Sequence, residues 1–540
     1  MNSLLLICSS LFLGAQADVP AADTVVVCPP AYLEAMQPWF DHRAKQGHEI
    51  ELITETESKE KIKAAIRKVA ELGKLKFILL VGDVDTHSSP ATSTTAVTEI
   101  GSGILSPAVV PTHIEEAVVN VHFGSEPQFA TDNWYADLDG DKLPDYAIGR
   151  LSVKTADELK VVVQKILKYE INPQPGLWQR KINLVAGVGG FGRAADTMME
   201  SITKKFLTDE VPAHIQTTVA YGSWTSPYCP DPREFGDEAI RQLNEGSLFW
   251  IYIGHGQRQY LDFVRVPGAY YPIMTERDVT RLRCETMPPI AIFLSCYTGA
   301  FDEPHDCIAE QMLRQAGGPV ACFSGSRVTM PYAMSVMGTE MLREYFDNQH
   351  ETLGELLLHT KRAMVSSKDT TGNRKMLDML ARMVSPKPEL LKEERLEHAQ
   401  LFNLIGDPLL RLPRPLTTEV STVKTELAGK QLEISITSPI AGKCHLELVC
   451  NRDQMTFKPE LRKKYDSSED SLAKYNQTYR RANDLRWSSK IIDLEQGTST
   501  ATLEIPDHCR GKCHVRIFIE GKTQCATGSC ELIVRAQPES

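Results

Sequence analysis

The chain has 540 residues, more than one core accommodates, so two or three domains are expected. Apolar residues make up 42% and charged residues 24%, ordinary values for a globular protein, which exclude a disordered or fibrous chain. A net charge of −11 argues against nucleic acid or an anionic membrane surface as the general partner.

Residues 4–15 form a short apolar core followed by Ala15-Gln16-Ala17, the small residues of a signal-peptidase site, although no Lys or Arg precedes them. This predicts a leader over 1–17 and a secreted or periplasmic protein. An uncleaved or cytosolic N-terminus is the alternative. No later run is long and apolar enough to span a bilayer.

Residues 24–85 alternate strand and helix, from TVVV through EIELI to FILLVGD, which implies a parallel sheet with right-handed crossovers. Pro38 falls inside the first helix and is expected to kink it or delay its start. Residues 86–107, rich in Ser, Thr, Gly and Ala, read as a long polar loop. DYAIGR is a further strand, and Thr155 to Glu158 reads as a capping box opening the next helix. The prolines near 172–176 mark a joint between an N-terminal α/β unit, 18–175, and a second one, 176–412.

That second unit holds the two most informative segments. LFWIYIGHG, 248–256, runs apolar and then presents His255; PPIAIFLSCYTGAF, 288–301, runs apolar and then presents Cys296. Such runs read as strands buried on both faces. Side chains at the carboxyl ends of parallel strands project into the crevice where open α/β sheets place ligands. If the two strands are neighbours, an imidazole stands beside a thiol, the pairing of an activated nucleophile. Cys296 then attacks, His255 moves the proton, and the Gly256 and Cys296 amides form the oxyanion hole. The bland readings are a buried apolar cysteine and a satisfied polar histidine.

Residues 413–540 change character. Short alternating runs such as QLEISIT, CHLELVC and CHVRIFIE suggest an immunoglobulin-like antiparallel β-sandwich, interrupted by a polar insert at 451–490 that carries the triplet Asn476-Gln477-Thr478. Six of the 13 cysteines fall there: Cys444, Cys450, Cys509, Cys513, Cys525 and Cys530. An even local cluster fits disulfides in an oxidising compartment, with a zinc site at Cys509 and Cys513 as the rival.

The ordered set of segments resembles the gingipain family of caspase-like cysteine peptidases. The histidine in Gly-His-Gly and the cysteine about forty residues on carry the resemblance, together with the stretches at 24–53, 77–85, 134–151 and 401–412. Gln257, and Ser295 before the cysteine, depart from the family pattern. The resemblance implies a caspase-like parallel-sheet catalytic region and endopeptidase activity on protein or peptide substrates, with no cofactor required for the chemistry. It also implies Asp145 as the acidic residue orienting His255, and Asp157 or Glu158 as receiver of a basic side chain before the scissile bond. The capping box and the helix dipole explain both of the latter without a substrate. Asp137, Asp139 and Asp141, in DLDGDKLPD, resemble the first half of a structural calcium loop, and a hairpin turn fits equally. The rival function is a secreted binding protein that keeps the peptidase fold without turnover. A dinucleotide site in GVGGFG, at 187–192, fails on its glycine order.

Overall fold

The computed structural model describes residues 21–84, 108–171, 174–188, 210–284, 287–366 and 372–537. The expected leader and the polar loop at 86–107 lie outside these residues.

Ten strands form one sheet across both α/β units: β1 (Thr24–Val27), β2 (Ile50–Ile53), β3 (Phe77–Val81), β4 (Ala147–Leu151), β5 (Lys181–Ala186), β6 (Gln216–Tyr221), β7 (Phe249–Ile253), β8 (Ile290–Leu294), β9 (Ala321–Gly325) and β10 (Phe402–Ile405). Their spatial order is β2-β1-β3-β4-β10-β9-β8-β7-β5-β6. Every neighbouring pair is parallel except β9 and β10. The sheet therefore reverses direction there, and the amino ends of β4 and β10 share an edge with the carboxyl ends of β7, β8 and β9. The apolar runs read from the sequence lie fully inside: β3 and β8 are buried at every residue.

Helices cover both faces. In the first unit these are α1 (Leu33–Lys45), α2 (Lys59–Ala70) and α3 (Ala156–Ile171). Pro38 sits within α1 rather than ending it. Arg43 of α1 is buried, and its guanidinium pairs with Glu170 of α3 at 2.7 Å and with Asp407, just after β10, at 2.6 Å. These charges leave water together, which is tolerable only because they pair. In the second unit run α4 (Phe235–Asn244), α5 (Ile308–Arg314), α6 (Pro331–Asp347), α7 (Leu353–Val365) and α8 (Leu391–Leu401).

The C-terminal unit is a two-sheet β-sandwich. Its three-stranded sheet is antiparallel, and its larger sheet is antiparallel apart from two short strands that pair in parallel with Cys525–Arg535. The expected insert contains a helix, α9 (Glu469–Ala482), and its last residues already belong to the strand Arg486–Leu494. α9 lies against α4: the Tyr479 hydroxyl donates to Glu238 at 2.5 Å and accepts from Gln242 at 3.0 Å. Asn476 accepts from the Asp231 amide at 2.9 Å and donates to Glu234 at 3.1 Å, so the triplet asparagine serves this docking. Asn483 reaches the outermost strand, β6, accepting from Val219 N at 2.7 Å and donating to Val219 O at 3.0 Å.

Candidate active site

β7 and β8 are adjacent and parallel, with Ile253 opposite Leu294. The Gly254 amide continues the pairing, donating to the Leu294 carbonyl at 3.3 Å. His255 and Cys296 each stand two residues beyond these partners, so the register brings their backbones side by side. Gly256 seals the contact. A Cβ built there would stand 2.5 Å from the Cys296 carbonyl oxygen and 3.0 Å from Ser295 Cβ. Only a glycine fits this approach.

The His255 carbonyl accepts the Tyr252 hydroxyl at 2.6 Å, and the same hydroxyl accepts from the Asp262 amide at 3.1 Å. Burial pushes the Tyr252 phenol well up, so it stays a donor. In the bridge between Gly256 and Leu261 the Gln257 amide, donating to Tyr260 O at 2.9 Å, carries the bond. The Gly256 amide has no part in that pairing, as an oxyanion donor requires.

Cys296 differs from the other thiols of this region. Cys28, Cys229, Cys284, Cys307 and Cys322 are buried, whereas Cys296 is half-buried. Burial pushes Cys28, Cys229 and Cys322 up to about 12, which makes them inert filler at neutral pH. The Cys296 sulfur accepts from the Thr329 amide at 3.2 Å and lies 3.5 Å from the Thr329 hydroxyl. The Thr329 loop is itself pinned from α8. The next amide, Met330, donates to His398 Nε2 at 2.7 Å, so that nitrogen is the acceptor and Nδ1 carries the proton given to Glu394 O, also at 2.7 Å. Burial pushes His398 down to about 4 and keeps it neutral. No sequence motif marks Thr329 or His398; only the fold brings them to the cysteine.

The remaining expected residues lie elsewhere. Asp145 shares the dyad's edge of the sheet, but β10, β9 and β8 stand between β4 and β7, which carries His255, about four strand spacings or roughly 19 Å. Its carboxylate accepts from the Leu138 amide at 2.9 Å and pairs with Arg362 of α7 at 3.1 Å. The expected pairing of Asp145 with His255 is not among these partners. Asp157 and Glu158 begin α3, beyond the carboxyl end of β4, which is the end of that strand away from the dyad. Asp157 is exposed and pairs with Lys160 at 3.0 Å. Glu158 accepts from the Lys154 amide at 2.7 Å, and its own amide donates to Thr155 Oγ1 at 3.2 Å. These are helix-capping bonds, and they account for both carboxylates without a substrate. The reversal at β9 and β10 sets both placements.

In the acidic loop the converging carboxylates are Asp137, Asp139 and Asp145, whose oxygens lie within 4.8 Å of one another. Asp141 is not among them; it accepts from the Leu143 amide at 2.8 Å. Asp145 takes its place because the chain turns back toward β4. Three hard oxygen donors suit a calcium ion, and burial raises the Asp137 carboxyl, a cost a cation would offset. The loop also satisfies itself in part, since the Gly140 amide donates to Asp137 at 2.7 Å and the Asp141 amide to Asp139 at 3.1 Å.

The C-terminal cysteines are free thiols in the structure. Cys509 and Cys513 approach to 3.8 Å between sulfurs, and Cys450 is the strand partner of Cys513.

A histidine and a half-buried cysteine just beyond the carboxyl ends of adjacent parallel strands, in a helix-covered sheet, are an arrangement that nucleophilic cysteine chemistry can use. The sequence profile of Peptidase family C25 matches residues 17–413, and the chain belongs to that family. Among curated proteins, Lys-gingipain and Lys-gingipain W83 of Porphyromonas gingivalis are 24% and 23% identical over 305 and 304 residues. Each match covers 54% of this chain; the chain spans only 15% of the first relative's length and 14% of the second's. Among solved structures, the crystal structure of the Arg-specific cysteine proteinase gingipain R superposes with a TM-score of 0.53 at 15% identity, covering 95% of this chain and 98% of that one. A complex of gingipain R pro- and mature domains from Porphyromonas gingivalis gives 0.50 at 14% identity, covering 95% of this chain and all of that one. The fold is thus that of the gingipains. Among the described residues no helix is long and apolar enough to cross a membrane.

Proposed function

We propose that the protein is a cysteine endopeptidase in which Cys296 is the nucleophile and His255 the general acid and base. The observation that carries this reading is the approach of Gly256 to the Cys296 carbonyl, which locks the two loops together. The Cys296 thiolate attacks the substrate carbonyl carbon, and the Gly256 and Cys296 amides receive the oxyanion. His255 gives its proton to the departing amine, and the acyl-enzyme forms. Water, deprotonated by His255, then cleaves the thioester and frees the thiol.

The name Lys-gingipain among the relatives supports a basic residue before the scissile bond. The apolar leader read from the sequence supports secretion. A structural calcium ion at Asp137, Asp139 and Asp145 belongs to the same reading. A positional peptide library, run on wild type and Cys296→Ala, tests activity and preference together. Cleavage by wild type alone, concentrated after Lys or Arg, is the expected result. Labelling of Cys296 by a thiol-reactive peptide without any turnover would favour a silent binding protein instead.

A further inference from the structure

One carboxylate touches a residue from each of the three loops that leave β7, β8 and β9 at the dyad edge. Glu126 lies between the short strands His113–Glu116 and Gln128–Thr131. Its Oε2 accepts the Tyr297 hydroxyl at 2.7 Å, its Oε1 accepts from Arg258 at 2.8 Å, and Arg327 stands 3.9 Å away. Tyr297 directly follows Cys296, Arg258 is three residues past His255, and Arg327 is two before Thr329. The Arg258 guanidinium also lies over the Tyr297 ring, 4.5 Å from its centre, and pairs with Glu303 at 2.7 Å. Arg327 pairs with Asp302 at 2.5 Å, and its carbonyl accepts the Tyr297 amide at 3.1 Å.

Tyr297 has a backbone φ of 57°, the left-handed region that a bulky residue holds only when its surroundings over-determine it. Here its amide and its hydroxyl are fixed at opposite ends.

We propose that Glu126, Tyr297 and Arg258 form a clasp that sets the spacing between the His255 loop and the Cys296 loop, and that they are positioning residues for the reaction. The inference rests on the peptidase reading above. Strand pairing fixes the two backbones as far as Gly254 and Leu294, and the close approach of Gly256 to the Cys296 carbonyl adds one backbone contact. Beyond that, proton transfer needs the imidazole and thiol held within about 3 Å, and a shift of about 1 Å costs on the order of a hundredfold in rate. Arg258 and Tyr297 join the loops side chain to side chain, and Glu126 ties both to a third element. Burial pulls the Glu126 carboxyl up, but the Tyr297 hydroxyl, its own backbone amide and the Arg258 and Arg327 guanidinium groups outweigh it and hold it below the usual range. The carboxylate is therefore ionised at neutral pH, when the clasp must hold.

The test uses the full chain, a fluorogenic peptide and the variants Glu126→Gln, Tyr297→Phe, Arg258→Ala and Arg258→Lys. Glu126→Gln and Tyr297→Phe should each lower kcat about 10- to 100-fold while KM moves less than about threefold, because the clasp acts on the spacing of the dyad. Their double variant should be no worse than the poorer single one, and Arg258→Lys should recover part of the loss of Arg258→Ala. Wild-type kcat in both Glu126→Gln and Tyr297→Phe, with Cys296→Ala inactive, overturns the clasp and leaves the peptidase reading intact. Activity in Cys296→Ala overturns both. Thermal melts accompany each variant; if Glu126→Gln unfolds, Tyr297→Phe, which lacks one hydroxyl, decides alone.

Discussion

The carbonyl oxygen of Cys296 stands 2.5 Å from the place a Cβ on Gly256 would occupy. That oxygen is backbone, so it cannot swing aside as a long side chain would. Gly256→Ala should push the histidine loop away from the cysteine loop and displace one oxyanion donor. Loss of about a hundredfold in kcat is expected, with destabilisation of about 1–3 kcal/mol from overpacking. Steady-state kinetics beside a denaturant melt measure both; a fully active Gly256→Ala would mean the two loops are not held by this contact.

The dyad should behave as one unit. Cys296→Ala and His255→Ala are each expected to abolish cleavage, and combining them should cost little more, because the thiol is a poor nucleophile without its base. Full additivity of the two losses in a sensitive peptide assay would place the histidine outside the reaction.

His398 makes the Thr329 loop sensitive to acid. Its folded pKa of about 4 lies below the unfolded value of about 6.5, so its neutral form favours the native state. That contribution is complete above pH 6.5 and falls away between 6.5 and 4, by about 3 kcal/mol in total. Glu394, which burial pushes up to about 7, works in the opposite direction. His398→Gln keeps an acceptor for the Met330 amide and does not titrate. The variant should therefore lose less stability than wild type between pH 6.5 and 4 in urea titrations. Parallel losses would show that His398 is not protonated on unfolding.

Calcium should act through the acidic loop. Adding the ion is expected to raise the Tm by mass action, and Asp139→Ala to remove most of that rise. Asp141→Ala should retain it, since Asp141 is turned to the Leu143 amide instead. If a chelator leaves the wild-type melt unchanged, the loop is a self-satisfied turn and no more.

Among the C-terminal thiols, Cys509 and Cys513 should pair first under oxidising conditions, being 3.8 Å apart. Alkylation of denatured, unreduced protein followed by peptide mass mapping should find that pair blocked. Recovery of Cys509 and Cys513 as free thiols from oxidised material would exclude that pair, and recovery of all six would sink the expectation of disulfides in this unit.

What could be read from the residues was whatever a local pattern determines. FWIYI and IAIFL announce buried strands by their apolar continuity, and the reactive side chain where each run stops announces an edge. The alternating runs after residue 413 announce half-buried strands in the same way. The direction of β10 is set by nothing local, yet it decides where the ends of β4 lie. Asp145 and Asp157 were therefore placeable only once the sheet was seen to reverse. Glu126, Thr329 and His398 escaped notice for a related reason. Each meets the site across 33 to 171 residues of sequence, and each alone is an ordinary polar residue.

Asn483 uses one side-chain amide to occupy both backbone groups of Val219 on β6. An unguarded outermost strand is a template on which a foreign strand can grow, and Asn483 blocks that growth with a single residue drawn from another domain. The C-terminal unit thus covers part of the edge of β6. A chain trimmed at the linker near residue 413 would keep its dyad and lose its guard. Its expected fate in concentrated solution is clumping through β6, a practical reason to express the two units together.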